Sequence, residues 1–222
     1  PTASNNFSLT KHEHFTHPHL IITPKGDRVL DFGQNIAGTV EFHIKAKKGQ
    51  KLSLRFGEKI DADGEFTQHN IQCVNKKITT PLQRIDYICK EGMNDYCMRF
   101  AIFGYQYILI EHADMDIHPD DFTAIAVYSD FETTMSFDSS NKDLDKFVQN
   151  TLWSLKNNSA DLPTDCPTRE RHGWSGDAQI FVNTASYLVN YAPFAIKYEK
   201  DLCDWQTSDG KFPQIAPEGG TD

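Results

Sequence analysis

No apolar run in this 222-residue sequence approaches the roughly 20 residues that a membrane-crossing helix needs, so no span is expected. Clustered lysines and arginines are lacking too. The formal net charge is −9, and without a basic patch to neutralise phosphates a nucleic-acid partner is excluded. Basic residues occur in short groups such as Lys45, Lys47 and Lys48 beside Gly49, read as a solvated turn. Five cysteines (Cys73, Cys89, Cys97, Cys166 and Cys203) lack any CxxC spacing. An odd number without that spacing fits neither a disulfide framework nor a zinc site. Cys89 and Cys97 could face each other across a hairpin, but free thiols are the expectation, with no metal or other cofactor. The sequence opens at Pro1 without Met, basic stretch or apolar leader. The native start is therefore expected upstream, and the compartment is not legible.

What is present divides by period. Hydrophobic residues make up 39% and charged residues 24%, a balance that fits a folded globular chain. Val40, Phe42 and Ile44 alternate with Glu41, His43 and Lys45, the period of two of a half-buried strand. Leu52, Leu54 and Phe56 alternate likewise beyond Lys47–Gly49, so the two runs are expected to pair as a hairpin. Further strands are expected over 84–90, 96–102, 105–112 and 122–129, giving a two-layer antiparallel sandwich. Phe100, Phe103, Tyr105 and Tyr107 read as core and cross-strand packing, with a sugar groove as the alternative.

After Phe137 the period becomes helical. Ser140, three residues before Asp143, reads as a cap. Leu144, Phe147, Val148, Thr151, Leu152 and Leu155 then recur at three- and four-residue steps. A second helix is expected over 177–205, with Ile180, Phe181, Thr184, Leu188, Phe194, Ile196 and Leu202 on its apolar side. Pro193 should kink or divide it. So few helices with single apolar stripes do not close a core of their own. An exposed helical face follows, to be covered by the sandwich, by further helices or by a second copy in a homo-oligomer.

Between the helices, residues 165–177 (Asp-Cys-Pro-Thr-Arg-Glu-Arg-His-Gly-Trp-Ser-Gly-Asp) crowd Asp165, Glu170 and Asp177 among Arg169, Arg171, His172 and Trp174. Like charges held close disfavour one another's ionisation. Glycosidases use that tension, since one carboxyl must keep its proton to donate to a leaving oxygen. A structural reading stands beside it: Asp165 capping a turn, Asp177 capping the second helix, and the arginines pairing with Glu170.

The same residues resemble the signature loop of bacterial α-L-rhamnosidases of glycoside hydrolase family 78. Asp31-Phe32-Gly33-Gln34-Asn35-Ile36-Ala37-Gly38 is similar to the opening of that family's sandwich domain, and Phe100–Tyr107 to its later aromatic–glycine strands. Pro213–Pro217 is similar to the segment after the second barrel helix. The resemblance implies a leader or linker over 1–26, a β-sandwich over 27–137, and over 138–222 the first helices of an (α/α)6 barrel, incomplete here. It implies an inverting hydrolase that removes terminal α-L-rhamnose from rhamnose-containing glycans or glycosides. Glu170 would be the general acid, Asp165 and Asp177 would bind rhamnose hydroxyls, Arg169 would orient the sugar or those carboxylates, and Trp174 would pack on the ring. An inverting pair stands roughly 6.5–9.5 Å apart with water between. The family's base comes from a later helix, so it is expected to be absent here and the isolated chain to have at most trace activity. Neither Glu199 nor Glu218 matches the family position. The alternative is a non-catalytic carbohydrate-binding or scaffolding sandwich, or a degenerate relative.

Two further clusters read blandly. His12, His14, His17 and His19 lie in an irregular stretch without a supporting ligand framework, and Asp61, Asp63 and Glu65 read as a hairpin turn, not a calcium loop.

Overall fold

The computed structural model describes residues 8–71 and 83–218; Cys73 lies outside them. The described residues fall into two compact units, one spanning 11–126 and one made of the residues before and after it.

The first unit holds most of an eight-stranded antiparallel sheet. Its strands are β1 (Leu9–Phe15), β2 (His19–Ile22), β3 (Arg28–Ala46), β4 (Lys51–Gly57), β7 (Arg84–Ile88), β8 (Gly92–Cys97), β9 (Phe103–Ala113) and β10 (Phe122–Ser129). The intervening β5 (Lys59–Ile60) and β6 (Phe66–Thr67) form a separate small hairpin. Strand order is β1-β10-β3-β9-β4-β7, with β2 and β8 also on β3. The 19-residue β3 makes this curled sheet possible. Its first half pairs with β2 and β9, and its second half with β10 and β8. The register shifts between Asp31 and Ile36, so the Asp31–Gly38 motif contains a bulge, a device that bends a strand. Strands β1 and β2 lie within the stretch read as a leader.

Alternation holds and the hairpin does not. Val40, Phe42 and Ile44 are buried, as are Leu52, Leu54 and Phe56. Yet among the described residues β3 and β4 share no ladder; β4 pairs with β9 and β7. The Lys47–Gly49 turn is tied instead to the end of β7, where Gly49 N donates to Cys89 O (2.9 Å) and Cys89 N to Gln50 O (2.8 Å). Both edges of β3 are already occupied, so the chain crosses away from its sequence neighbour.

The strand expected over 96–102 is displaced to Gly92–Cys97. The reversal falls at Lys90–Gly92, where Gly92 takes φ 89, a value that glycine adopts without a Cβ penalty. The Asn94 side chain accepts from Lys90 N and donates to Lys90 O and Gly92 O. Phe100 is left fully exposed. Phe103 and Tyr105 pack on Phe56, with ring centroids 4.9 and 5.0 Å apart, and Tyr105 Oη donates to Thr39 O at 2.6 Å. Tyr105 belongs to the core, and the half-buried Phe103 packs at its edge. Cys89, Cys97, Cys166 and Cys203 are free thiols.

The second unit contains α1 (Lys142–Asn157), the two-rung hairpin β11 (Ser159–Ala160) and β12 (Leu162–Pro163), α2 (Ser175–Leu188) and α3 (Ala192–Asp204). Asn141, not Ser140, caps α1, its side chain accepting from Asp143 N and Leu144 N. Ser139 explains the shift: its hydroxyl bonds the backbone of Asn141 and fixes the entry one residue later. The long second helix divides, and Pro193 sits in the first turn of α3, where its missing N–H costs no helical bond. These helices do bury a core of their own. Leu155, Ala185, Leu188, Tyr191 and Phe194 form it with Phe131, whose ring lies 5.1 Å from that of Phe194. Ile180, Tyr187 and Ile196 remain exposed. No closed helical barrel exists among the described residues; three helices are present.

Candidate active site

Residues 164–174 leave β12 and return to α2 as one loop pinned from three sides. Thr164 N donates to Asn158 O at 2.9 Å, closing the loop's start on the end of α1. Asp165 and His172 are joined twice. Asp165 N donates to His172 O (3.1 Å), and His172 N donates to Asp165 Oδ1 (3.0 Å). Arg171 reverses the chain between them with φ 54, a left-handed conformation that side-chain-bearing residues adopt only when their surroundings enforce it. His172 thus contributes both its backbone N–H and its carbonyl to the loop.

The far end is clamped by a short strand-like segment. Trp174 bridges Ile215. Ser175 N donates to Gln214 O (2.8 Å), and Ala216 N to Gly173 O (3.0 Å). Gly173 O also accepts the Tyr198 hydroxyl of α3 at 2.6 Å. A Cβ at position 173 would collide with Ala216 O and come within 2.8 Å of Leu162 Cδ1, so only glycine allows this approach.

Inside that frame the candidate residues form two groups. Glu170 Oε2 accepts the Trp174 indole N–H (3.1 Å), Glu170 Oε1 accepts from Arg169 (3.1 Å), and Glu170 N donates to Cys166 Sγ (3.2 Å). The Glu170 side chain is 30% exposed, reachable by a ligand yet held by two donors. The second group is a cleft of about 250 Å³ lined by Asp165 and by Asp177 from the first turn of α2, with Leu155, Phe181 and Tyr191 as apolar wall. Asp177 lies inside α2 and does not cap it, since that helix begins at Ser175. His172 links the groups, because its carbonyl receives both Asp165 N and Trp174 N. Carboxylates above apolar side chains suit a ligand with hydroxyls on one side and hydrocarbon on the other.

Tyr198 went unnoticed in the sequence. It is 6% exposed, and burial first, then the charges of Asp201 and Asp177, push its phenol up to about 12. The available signal was its place on the Phe194–Leu202 stripe, where a buried tyrosine requires a hydroxyl partner.

Other clusters offer less. Among the described residues no group of three or more His, Cys, Asp or Glu side chains could hold a metal ion, and no helix is long and apolar enough to cross a membrane. His17 pairs with Asp120 at 2.7 Å. Asp61 Oδ1 accepts from Asp63 N and Glu65 N, closing the β5–β6 turn.

Two family models match the chain. The bacterial alpha-L-rhamnosidase concanavalin-like domain covers residues 21–128, and the bacterial alpha-L-rhamnosidase 6 hairpin glycosidase domain covers 132–222. A curated alpha-L-rhamnosidase of Streptomyces avermitilis is 32% identical over 202 residues, 90% of this chain and 19% of its own length. One from Formosa agariphila is 30% identical over 203 residues, 89% of this chain and 21% of its own. The chain thus spans about a fifth of these relatives. Among solved structures, the Streptomyces avermitilis alpha-L-rhamnosidase complexed with L-rhamnose superposes with a TM-score of 0.90 at 29% identity, covering 98% of this chain and 21% of that one. The enzyme of Dictyoglumus thermophilum gives 0.88 at 27%, covering 97% and 24%.

Proposed function

The chain belongs to the bacterial α-L-rhamnosidases, and from that premise we propose that it carries the acid half of a centre hydrolysing terminal α-L-rhamnosides with inversion. Glu170 delivers its proton to the glycosidic oxygen as the bond from that oxygen to the anomeric carbon breaks. Water attacks the opposite face of the sugar, and a second carboxylate takes the water's proton. Asp165 and Asp177 hold rhamnose hydroxyls and favour positive charge at the anomeric carbon. Arg169 orients the sugar or these carboxylates, and Trp174 offers an apolar face to the ring. The second carboxylate is read as lying outside these 222 residues. Glu218 is exposed, and Glu199 lines a different cleft between α2 and α3. Residues 27–137 then serve as the β-sandwich domain, and 138–222 as the opening of an (α/α)6 barrel.

The observation supporting this reading is the clasp on Glu170. One carboxyl is bonded by an indole and a guanidinium, on a loop flanked by two aspartates, one at its start and one in the helix that follows, that line a cleft. Turnover of an alkyl α-L-rhamnoside, whose leaving oxygen departs only with a proton, is the test. The isolated 222-residue chain should show at most a trace, and the gene product carrying this sequence should lose turnover on Glu170→Gln while keeping L-rhamnose binding. Undiminished turnover in that variant would remove Glu170 from the acid role and favour a non-catalytic, sugar-binding one.

A further inference from the structure

Glu170 sits on a loop, and its two side-chain partners, Arg169 and Trp174, lie on the same loop. A proton donor must be held within a few tenths of an ångström of its working position, and residues of one loop hold one another in place only where something outside the loop fixes it. The Arg169 side chain is 48% exposed and restrains little. Whatever positions the indole therefore positions the carboxyl.

We propose that Tyr198, together with the Gln214–Ala216 segment, positions the proposed acid by fixing the backbone of Gly173–Ser175, from which the Trp174 indole reaches Glu170. The inference rests on the reading of Glu170 as that acid. Three hydrogen bonds clamp the residues on either side of Trp174: Tyr198 Oη and Ala216 N both to Gly173 O, and Ser175 N to Gln214 O. The bridge between Trp174 and Ile215 lies at the centre of that ladder. Gly173 permits the approach, since any side chain there would strike Ala216 O. Tyr198 comes from α3, packed around the buried Phe194, so it connects the loop to the core of its unit. Its phenol, held up to about 12 by burial and then by Asp201 and Asp177, remains a donor throughout the neutral range. Tyr198 is a positioning residue, with the indole between it and the chemistry.

The test reads the indole itself in the full 222-residue chain. Three tryptophans give three indole N–H resonances, and Trp174→Phe identifies the one of interest. In the wild type that resonance should move with pH in one step, absent from Glu170→Gln, as the carboxyl it touches changes charge. Tyr198→Phe removes one oxygen, and Gly173 O keeps Ala216 N as a donor, so the fold should persist with the Trp153 and Trp205 resonances in place. The Trp174 step should then lose at least half its amplitude.

Ser175→Pro cuts the same clamp without touching the tyrosine. Proline suits the first position of a helix, and Trp174, with φ −67 and ψ 122, already has the extended backbone that a following proline demands. It should lose the step likewise, and it decides the matter if Tyr198→Phe does not fold. A full-amplitude step in either folded variant overturns the inference. So does a wild-type resonance that never responds to Glu170. The acid assignment fails separately, if Glu170→Gln leaves rhamnoside turnover intact.

Discussion

The Trp174 indole N–H points at Glu170 Oε2 across 3.1 Å, and the two residues are four apart on one loop. The contact separates charge from shape in a mutant, because a glutamine side chain presents a carbonyl oxygen to the same N–H. Glu170→Gln should therefore keep the indole contact, and lose the transferable proton together with the half-exposed Arg169 pair. General acid catalysis is worth about 10²–10⁴-fold in rate, so rhamnosides with poor leaving groups should lose that much turnover in the gene product. Aryl rhamnosides that leave as stabilised anions should lose less. Equal losses for both leaving-group classes would argue that the variant disturbs binding instead.

Gly173→Ala tests the close approach. Its Cβ would have to displace Ala216 O or Leu162 Cδ1, and overpacking of this kind costs about 1–3 kcal/mol. Urea unfolding of the helical unit should move to lower concentration by a corresponding amount. An unchanged midpoint would mean that the 214–216 segment yields without cost.

Much of this was legible from period and turn chemistry, and the failures share a cause. Val40, Phe42 and Ile44 announced a buried face, yet nothing in them could announce that β3 spends both edges on distant strands and leaves β4 to β9 and β7. Periodicity reports which side of a strand is buried, whereas pairing is decided by the whole sheet. Glu170, Trp174, Asp165 and Asp177 stood out because unlike charges and an indole crowd thirteen residues. The bond between Tyr198 and Gly173 stayed silent, since a single hydroxyl–carbonyl contact between residues 25 apart leaves no pattern that pairs a stripe tyrosine with a loop glycine.

Helix α1 offers a direct check at its first turn. Asn141 Oδ1 accepts from Asp143 N at 3.0 Å, so Asn141→Ala should destabilise the unit by about 1 kcal/mol, the usual worth of such a cap. Ser140→Ala should stay within about 0.5 kcal/mol, the range of surface changes that touch no special feature. Paired thermal or urea melts distinguish the two. A larger loss at Ser140 would restore it as the cap.

Alkaline pH should weaken the helical unit. The Tyr198 phenol is raised to about 12 by burial first and then by Asp201 and Asp177, and burial raises Tyr191 as well. The unfolded chain ionises its tyrosines near pH 10, while the folded chain keeps these two neutral. Their stabilisation is whole below about pH 10 and declines as pH climbs through the folded value. Urea melts at pH 8, 10 and 11.5 should show falling stability, with a shallower fall in Tyr198→Phe. Identical slopes would show that this hydroxyl titrates alike in both states.

Asp165 and Asp177 line one cleft but are not equivalent. Asp165 Oδ1 already accepts His172 N and so closes the loop, whereas Asp177 stands in the first turn of α2. Asp165→Ala should therefore cost stability and L-rhamnose affinity together, because a loop amide loses its acceptor. Asp165→Asn retains an oxygen for that amide, and should cost affinity alone. Asp177→Asn should likewise leave the fold nearly unchanged, apart from the few tenths to about 1 kcal/mol that a negative charge contributes near a helix N-terminus. Hydrogen bonds from a ligand to a charged group are worth about 1.5–3 kcal/mol, so each Asn variant should raise the L-rhamnose Kd of the gene product by roughly 10- to 100-fold. Calorimetric titration alongside a melt separates affinity from stability. Two Asn variants that bind rhamnose as the wild type does would mean that the cleft is not where the sugar sits.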